Sequence, residues 1–174
     1  MGTDLYRRAR PPQPCRHSHA AKATWWDDDL FLLEVQRTGG RAVTLSTQVE
    51  KHPGRWDVFE VNPDGRWPQY DRRGATRLMK RLCGCHYGLR GLAAAALLHL
   101  PLVRWFVRPD MDDLAIERRP PFCSHACAWA DRIGGGIDPV RHLADRLTEP
   151  ADLARSPFYR YRFTLMPGGG EVSG

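Results

Sequence analysis

The sequence predicts an α+β fold. Strand-like segments fill the first third of the chain, helix-like segments follow, and one strand-like segment returns near the C-terminus. With 42% hydrophobic residues, the 174-residue chain is long enough to form one domain with its own core. We therefore expect a single domain over residues 1–174, with irregular ends at about 1–15 and 167–174.

The first third contains four predicted strands that are separated by turn residues. The segments SHAAKATWW and LFLLEVQ flank the aspartates Asp27–Asp29, which favour a tight turn. TGGRAVTLS begins at a glycine turn, and RWDVFEVNPDG ends at an Asn-Pro-Asp-Gly turn. Between these last two strands we expect a helical turn over residues 47–53.

The remainder of the chain has a helical pattern until the last strand. In DRRGATRLMKRLCGC, apolar residues recur at helical spacing with arginines on the opposite side, and Gly84 is expected to end this helix. Further helices are expected over Gly91–Leu100 and Phe122–Ile133, and a short one in DPVRHLADRL. Residues 107–121 are expected to form a loop, EPADLARSP a turn-rich connection, and YRYRFTL the returning strand.

Composition and charge exclude several classes of function. The net charge is +6, but no dense basic block interleaved with aromatic residues appears, so no nucleic-acid partner is expected. The apolar run GLAAAALLHLPLVRWF is interrupted by His99, Pro101 and Arg104, so no transmembrane segment is expected. The N-terminus MGTDLYRRARPPQPC lacks the apolar region of a signal peptide, which favours synthesis in the cytoplasm.

Cys123 lies at the predicted start of a helix, directly after two prolines and a phenylalanine. Unpaired backbone N–H groups and the helix dipole at this position favour a thiolate and can bind a developing oxyanion. Cysteine is also a common buried hydrophobic residue, so the position alone is compatible with a nucleophile or with a core residue.

The five cysteines are Cys15, Cys83, Cys85, Cys123 and Cys127. An odd number argues against a secreted disulfide scaffold. A zinc module built from the last four is an alternative hypothesis, but C-x-C and C-x-x-x-C are not the usual spacings of zinc ligands. We therefore expect neither a metal site nor a cofactor.

A thiolate nucleophile needs a histidine, and that histidine needs an orienting acceptor. His17 and His19 lie two residues apart at the start of the first predicted strand, so strand alternation does not distinguish them. Glu34 is a carboxylate within the apolar segment LFLLEVQ. A two-residue turn at Asp27–Asp28 would pair Glu34 opposite Ala21 and make it a diagonal neighbour of His19 on one sheet face. A three-residue turn would reverse the face unless a bulge restored it. The alternative is that Glu34 is an ordinary exposed strand residue paired with an arginine.

Taken together, these motifs resemble the circularly permuted papain-like cysteine peptidases and amidases, the YiiX-like branch of the NlpC superfamily. The resemblance rests on HSHAA, LFLLEV, FCSHACAWADRIGGG and EPADLARSP, in that order, over about residues 16–165. It implies a permuted papain-like fold with an antiparallel sheet packed against helices. It also implies that Cys123 is the nucleophile, His19 the base and Glu34 the orienting carboxylate. CHYGLRGL is similar to the family's segment before the catalytic helix, which implies that Tyr87 lines the substrate site.

The sequence departs from the family pattern at two places that leave the triad intact. His125 stands where the family usually has a glutamate, and the usual N-terminal Gly-Asp pair is present only as the split GTDL. The resemblance implies a cysteine hydrolase that cleaves an amide or peptide bond through a thioester, with peptidoglycan as the expected substrate. A small chain without a signal peptide fits a hydrolase carried by a phage virion or tail. Its expected partners there are other virion proteins. The alternative hypothesis is a structural or interaction protein of a virion that retains the fold.

Overall fold

The computed structural model of the protein describes residues 17–87, 121–166 and 169–172. These residues form two small antiparallel sheets and several short helices, which agrees with the predicted α+β class. The helix expected over Gly91–Leu100 lies outside the described residues, as does nearly all of the loop expected over 107–121.

The first sheet is a three-stranded meander with the strand order β1-β2-β3. Its strands are β1 (Lys22–Trp26), β2 (Asp29–Gln36) and β3 (Gly39–Thr44). Asp27–Asp28 form the predicted two-residue turn, in which Asp27 has a φ of 53°. Because side chains alternate along a strand, Leu33 and Val35 face the core while Glu34 lies on the opposite face of β2.

The second sheet joins distant parts of the chain in the order β4-β5-β6. Its strands are β4 (Trp56–Val61), β5 (Tyr159–Met166) and β6 (Gly169–Val172). The expectation of an irregular end over 167–174 is wrong for β6. The unpaired edge of β5 offers backbone hydrogen-bonding groups, and the tail satisfies some of them by antiparallel pairing. The irregular end predicted over 1–15 lies outside the described residues.

The described helices are short. They are α1 (Leu45–Lys51), α2 (Arg72–Arg81), α3 (Cys123–Trp129), its π-helical continuation (Ala130–Gly134), a 3-10 turn (Asp145–Leu147) and α4 (Pro150–Arg155). None of them is long and apolar enough to cross a bilayer.

Two local predictions after α3 are wrong. DPVRHLADRL forms turns and the 3-10 segment instead of a helix, since the Asp138 carboxylate accepts from the Val140 N–H at 2.8 Å and stabilises a turn. EPADLARSP contains α4 instead of turns, because Glu149 and Asp152 form a capping box around its start.

Helix α2 packs closely against the π-helical segment. Asp71 caps its start by accepting from the Gly74 N–H at 2.9 Å, while Ala75 and Met79 are buried. A Cβ atom on Gly74 would lie 2.0 Å from the carbonyl oxygen of Gly134, so only glycine permits this approach. The contact holds α2 against the helix that begins at Cys123, which is the residue that the site is built around.

The main core lies between the first sheet, α2 and α3. Its buried members include Leu33, Val35, Met79, Ala126 and Cys127. Packing β2 against α3 through these side chains places the start of α3 beside the segment that leads into β1.

Candidate active site

Cys123 is the first residue of α3 and is only 6% exposed. Phe122 before it has extended backbone angles, and no side chain caps the helix start. Burial alone raises the pKa of a thiol, but the hydrogen bond and charge of His19 and the N–H groups of Ala20 and Ser124 outweigh it. The pKa of Cys123 is therefore lowered, which favours the thiolate form.

His19 lies shortly before β1 and links Cys123 to Glu34. Its Nε2 is 2.8 Å from Glu34 Oε2, which leaves Nδ1 for the hydrogen bond with Cys123. Burial lowers the pKa of His19, but the hydrogen bonds to Cys123 and Glu34 outweigh burial and raise this pKa to about 9. Both shifts favour a thiolate on Cys123 beside an imidazolium on His19.

Glu34 is fully buried on β2 and stays ionised. Burial raises the pKa of a carboxyl group, but hydrogen bonds from His19 and Arg41 lower the pKa of Glu34 below its usual value. The expected geometry is confirmed, since the two-residue turn at Asp27–Asp28 puts Glu34 and His19 within hydrogen-bond distance. Glu34 also pairs with an arginine, but as a buried residue and not as an exposed one.

Two further partners of Glu34 were missed by sequence reasoning. Arg41 is the direct cross-strand partner of Glu34 on β3, and its Nε lies 2.8 Å from Glu34 Oε1. Gln48 on α1 is fully buried and donates from Nε2 to the same oxygen at 2.9 Å. The short loop after β2 was a signal for Arg41, because a tight hairpin fixes which residue opposes Glu34.

The structure separates the two candidate histidines. His17 Nε2 lies 3.0 Å from Asp57 Oδ2, and Asp57 also accepts from Arg55 and Thr164. His17 is therefore bound to the second sheet, whereas His19 is bound to the first sheet and to Cys123.

Tyr87 lies against Phe122 and Cys123, so the residue predicted to line the site is beside the thiol. Burial, with the nearby Cys123, raises the pKa of Tyr87, so its hydroxyl keeps its proton at neutral pH. His125 is 3% exposed and its ring contacts Phe122. His125 is thus a buried residue of the helix.

The cysteines do not form a metal site in the part of the chain that the structure describes. There, no three His, Cys, Asp or Glu side chains are placed to bind one metal ion, and Cys83, Cys85, Cys123 and Cys127 are free thiols. Burial raises the pKa of Cys127 to about 12, so this thiol stays protonated in the core. The zinc hypothesis has no support among these residues.

A buried carboxylate network fixes the helix that carries Cys123. Asp131, on the π-helical segment, has no exposed surface and accepts from Lys22 Nζ at 2.6 and 2.8 Å and from Tyr70 at 2.6 Å. It also accepts from Tyr159 on β5. Sequence reasoning missed Asp131, although an aspartate directly after the apolar segment ACAWA is a signal of a buried, paired carboxylate.

Comparisons of the chain with protein-family models, curated proteins and solved structures gave no match. The chemistry of the site therefore has to be argued from its geometry. That geometry is a buried cysteine and a buried glutamate joined through a partly buried histidine in one hydrogen-bonded chain, with a tyrosine packed against the cysteine.

Proposed function

We propose that this protein is a cysteine hydrolase that cleaves an amide or peptide bond, with Cys123, His19 and Glu34 as its catalytic triad. The observation that carries the proposal is the hydrogen-bonded chain from Cys123 through His19 to Glu34. Nucleophile, base and orienting acceptor in one such chain define thiol and serine hydrolases on unrelated folds. The order His, Glu, Cys along the sequence supports a circularly permuted papain-like arrangement of this α+β domain.

Acylation begins with attack of the Cys123 thiolate on the substrate carbonyl carbon. The oxyanion that forms is bound by the backbone N–H of Cys123 at the start of α3. As the carbon–nitrogen bond breaks, the His19 imidazolium donates its proton to the leaving nitrogen. The products of this step are a free amine, a thioester on Cys123 and a neutral imidazole.

Deacylation regenerates the starting state. Neutral His19 takes a proton from water while the water oxygen bonds to the acyl carbon. The carbon–sulfur bond then breaks and releases a carboxylic acid, which leaves the thiolate and the imidazolium in place. Glu34 keeps the imidazole ring oriented through both steps and stabilises its charged form.

The proposed substrate is a peptide or amide of the cell wall, and the proposed setting is a phage virion or tail. The first part is supported by the resemblance and by the net charge of +6, which suits an anionic polymer such as the cell wall. The packing of Tyr87 against Cys123 supports a role for Tyr87 in contacting such a substrate.

Hydrolysis of a panel of fluorogenic peptide amides and peptidoglycan stem peptides tests the function. We expect turnover and a transient mass increase on Cys123, both abolished in Cys123→Ala, and a loss of at least about a hundredfold in His19→Ala. Cys83→Ala is the matched control, since Cys83 is an exposed free thiol, and it should retain full activity. Hydrolysis that survives Cys123→Ala would contradict the proposal. A folded protein that hydrolyses no substrate and forms no adduct would favour the structural or interaction role.

A further inference from the structure

The two carboxylate oxygens of Glu34 have different partners. Oε2 is used by His19, at 2.8 Å. Oε1 accepts from Nε of Arg41 at 2.8 Å and from Nε2 of Gln48 at 2.9 Å, and Nη2 of Arg41 also lies 2.8 Å from it. Arg41 and Gln48 therefore bind one carboxylate oxygen, while His19 binds the other.

The orientation of the Gln48 amide is fixed by this contact. The amide is buried, and turning it over would place its oxygen against Glu34 Oε1, where two acceptors would repel each other. Because Arg41 and Gln48 bind one oxygen and His19 binds the other, rotation of the carboxylate out of its present plane would draw both oxygens away from their partners. A buried charge that loses its donors is costly, so one rotamer of Glu34 is favoured.

We propose that Gln48 and Arg41 are positioning residues for the Cys123–His19 pair, because they hold Oε1 of Glu34 and thereby keep Oε2 aimed at His19. The proposal rests on the proposed function for its catalytic meaning, but the positioning itself is a statement about His19. Neither residue contacts Cys123 through any bond found among the described residues, so both act through Glu34.

The two positioning residues act differently. Gln48 is neutral and contributes direction only. Arg41 adds a positive charge on the far side of Glu34, and this charge opposes protonation of His19 while it keeps Glu34 ionised. Removal of the Arg41 charge should therefore raise the pKa of His19. Removal of the Gln48 donor should instead loosen the hydrogen bond between His19 and Glu34.

NMR of His19 in the full-length protein tests both roles, since it follows the ring whether or not Cys123 reacts. In Gln48→Met we expect the downfield Nε2–H resonance of His19 to broaden or vanish. In Arg41→Gln we expect the pKa of His19 to rise by about half a unit or more, and Arg41→Lys should restore it. The controls are Gln69→Met, an exposed glutamine, and Arg160→Gln, whose partner Glu60 lies on the second sheet.

Unchanged His19 spectra and titration in folded Gln48→Met and Arg41→Gln would overturn the positioning proposal. If Gln48→Met does not fold, Arg41→Gln decides the outcome alone, because the Arg41 side chain is 38% exposed. The two proposals fail separately. If Cys123 reacts slowly but Gln48→Met and Arg41→Gln alter the His19 spectra, only the hydrolase proposal is refuted. If Cys123 is reactive but the two variants leave the His19 spectra unaltered, only the positioning proposal is refuted.

Discussion

At the scale of single residues, Glu34 is the group that completes the proposed triad with Cys123 and His19. It lies in an apolar strand with no exposed surface, and its charge is kept by donors from three side chains. A buried carboxylate of this kind is rarely retained without a partner, which is why its presence in LFLLEVQ was informative.

Glu34→Gln should weaken the site without removing the nucleophile. Because the hydrogen bond and charge of Glu34 help to raise the pKa of His19 to about 9, we expect this pKa to fall in the variant. The rate of Cys123 alkylation at neutral pH should fall on the order of 10-fold to 100-fold, as expected for loss of a hydrogen bond between charged groups. Iodoacetamide kinetics and an NMR titration of His19 measure the two effects.

The control for this change is Glu60→Gln, which removes a carboxylate that pairs with Arg160 and Arg162 on the second sheet. That variant should react like the unaltered protein. Equal rates for Glu34→Gln and Glu60→Gln would show that Glu34 has no part in activating the thiol.

Strand alternation alone did not distinguish His17 from His19, and it was the family resemblance that implied His19. Both histidines precede β1, and a strand extended back over them would put both side chains on the same face. Asp57 on the second sheet binds His17 and so keeps His17 from pairing with Glu34. A contact of this kind depends on how the sheets pack, and no local pattern in the first strand records it.

At the scale of elements, the site depends on where α3 lies. The π-helical segment that continues α3 packs closely against α2, and this contact holds α3 in place. Gly74→Ala would put a Cβ atom 2.0 Å from the Gly134 carbonyl oxygen, so the two elements must separate. We expect a loss of about 1–3 kcal/mol in the free energy of unfolding, measured by urea denaturation.

Gly54→Ala is the matched control for that substitution. The nearest atom to its added Cβ is the His52 carbonyl oxygen at 3.9 Å, an ordinary contact. Its stability should stay within about 0.5 kcal/mol of the unaltered protein. A Gly74→Ala protein that is equally stable would mean that the two elements are not packed as described.

The two elements that sequence reasoning missed, β6 and α4, were missed for different reasons. Helix α2 and the β1–β2 hairpin were predictable because helical spacing, the Asp27–Asp28 turn and strand alternation are local signals. β6 forms because β5 presents an unpaired edge, which is a tertiary condition. Helix α4 did have a local signal in its capping box, and that signal was overlooked.

At the scale of the whole molecule, the fold brings three distant segments to one point. The segment before β1 supplies His19, β2 supplies Glu34, and α3 supplies Cys123. The Asp131 network ties β1, β5 and the π-helical segment together. The α+β class followed from the order of elements, whereas the permuted papain-like arrangement and the activity remain proposals.

The most direct test of the central claim is the rate of Cys123 modification by iodoacetamide as a function of pH, with peptide mapping to separate the thiols. Because the protonated His19 beside it lowers the pKa of Cys123, Cys123 should react rapidly at a pH well below that at which a free thiol ionises. Cys83 is exposed as a residue, but partial burial of its thiol raises the thiol pKa, so Cys83 should react only in alkaline solution. If Cys123 instead gains reactivity in parallel with Cys83 as the pH rises, the thiolate–imidazolium pair does not exist and the hydrolase proposal is contradicted.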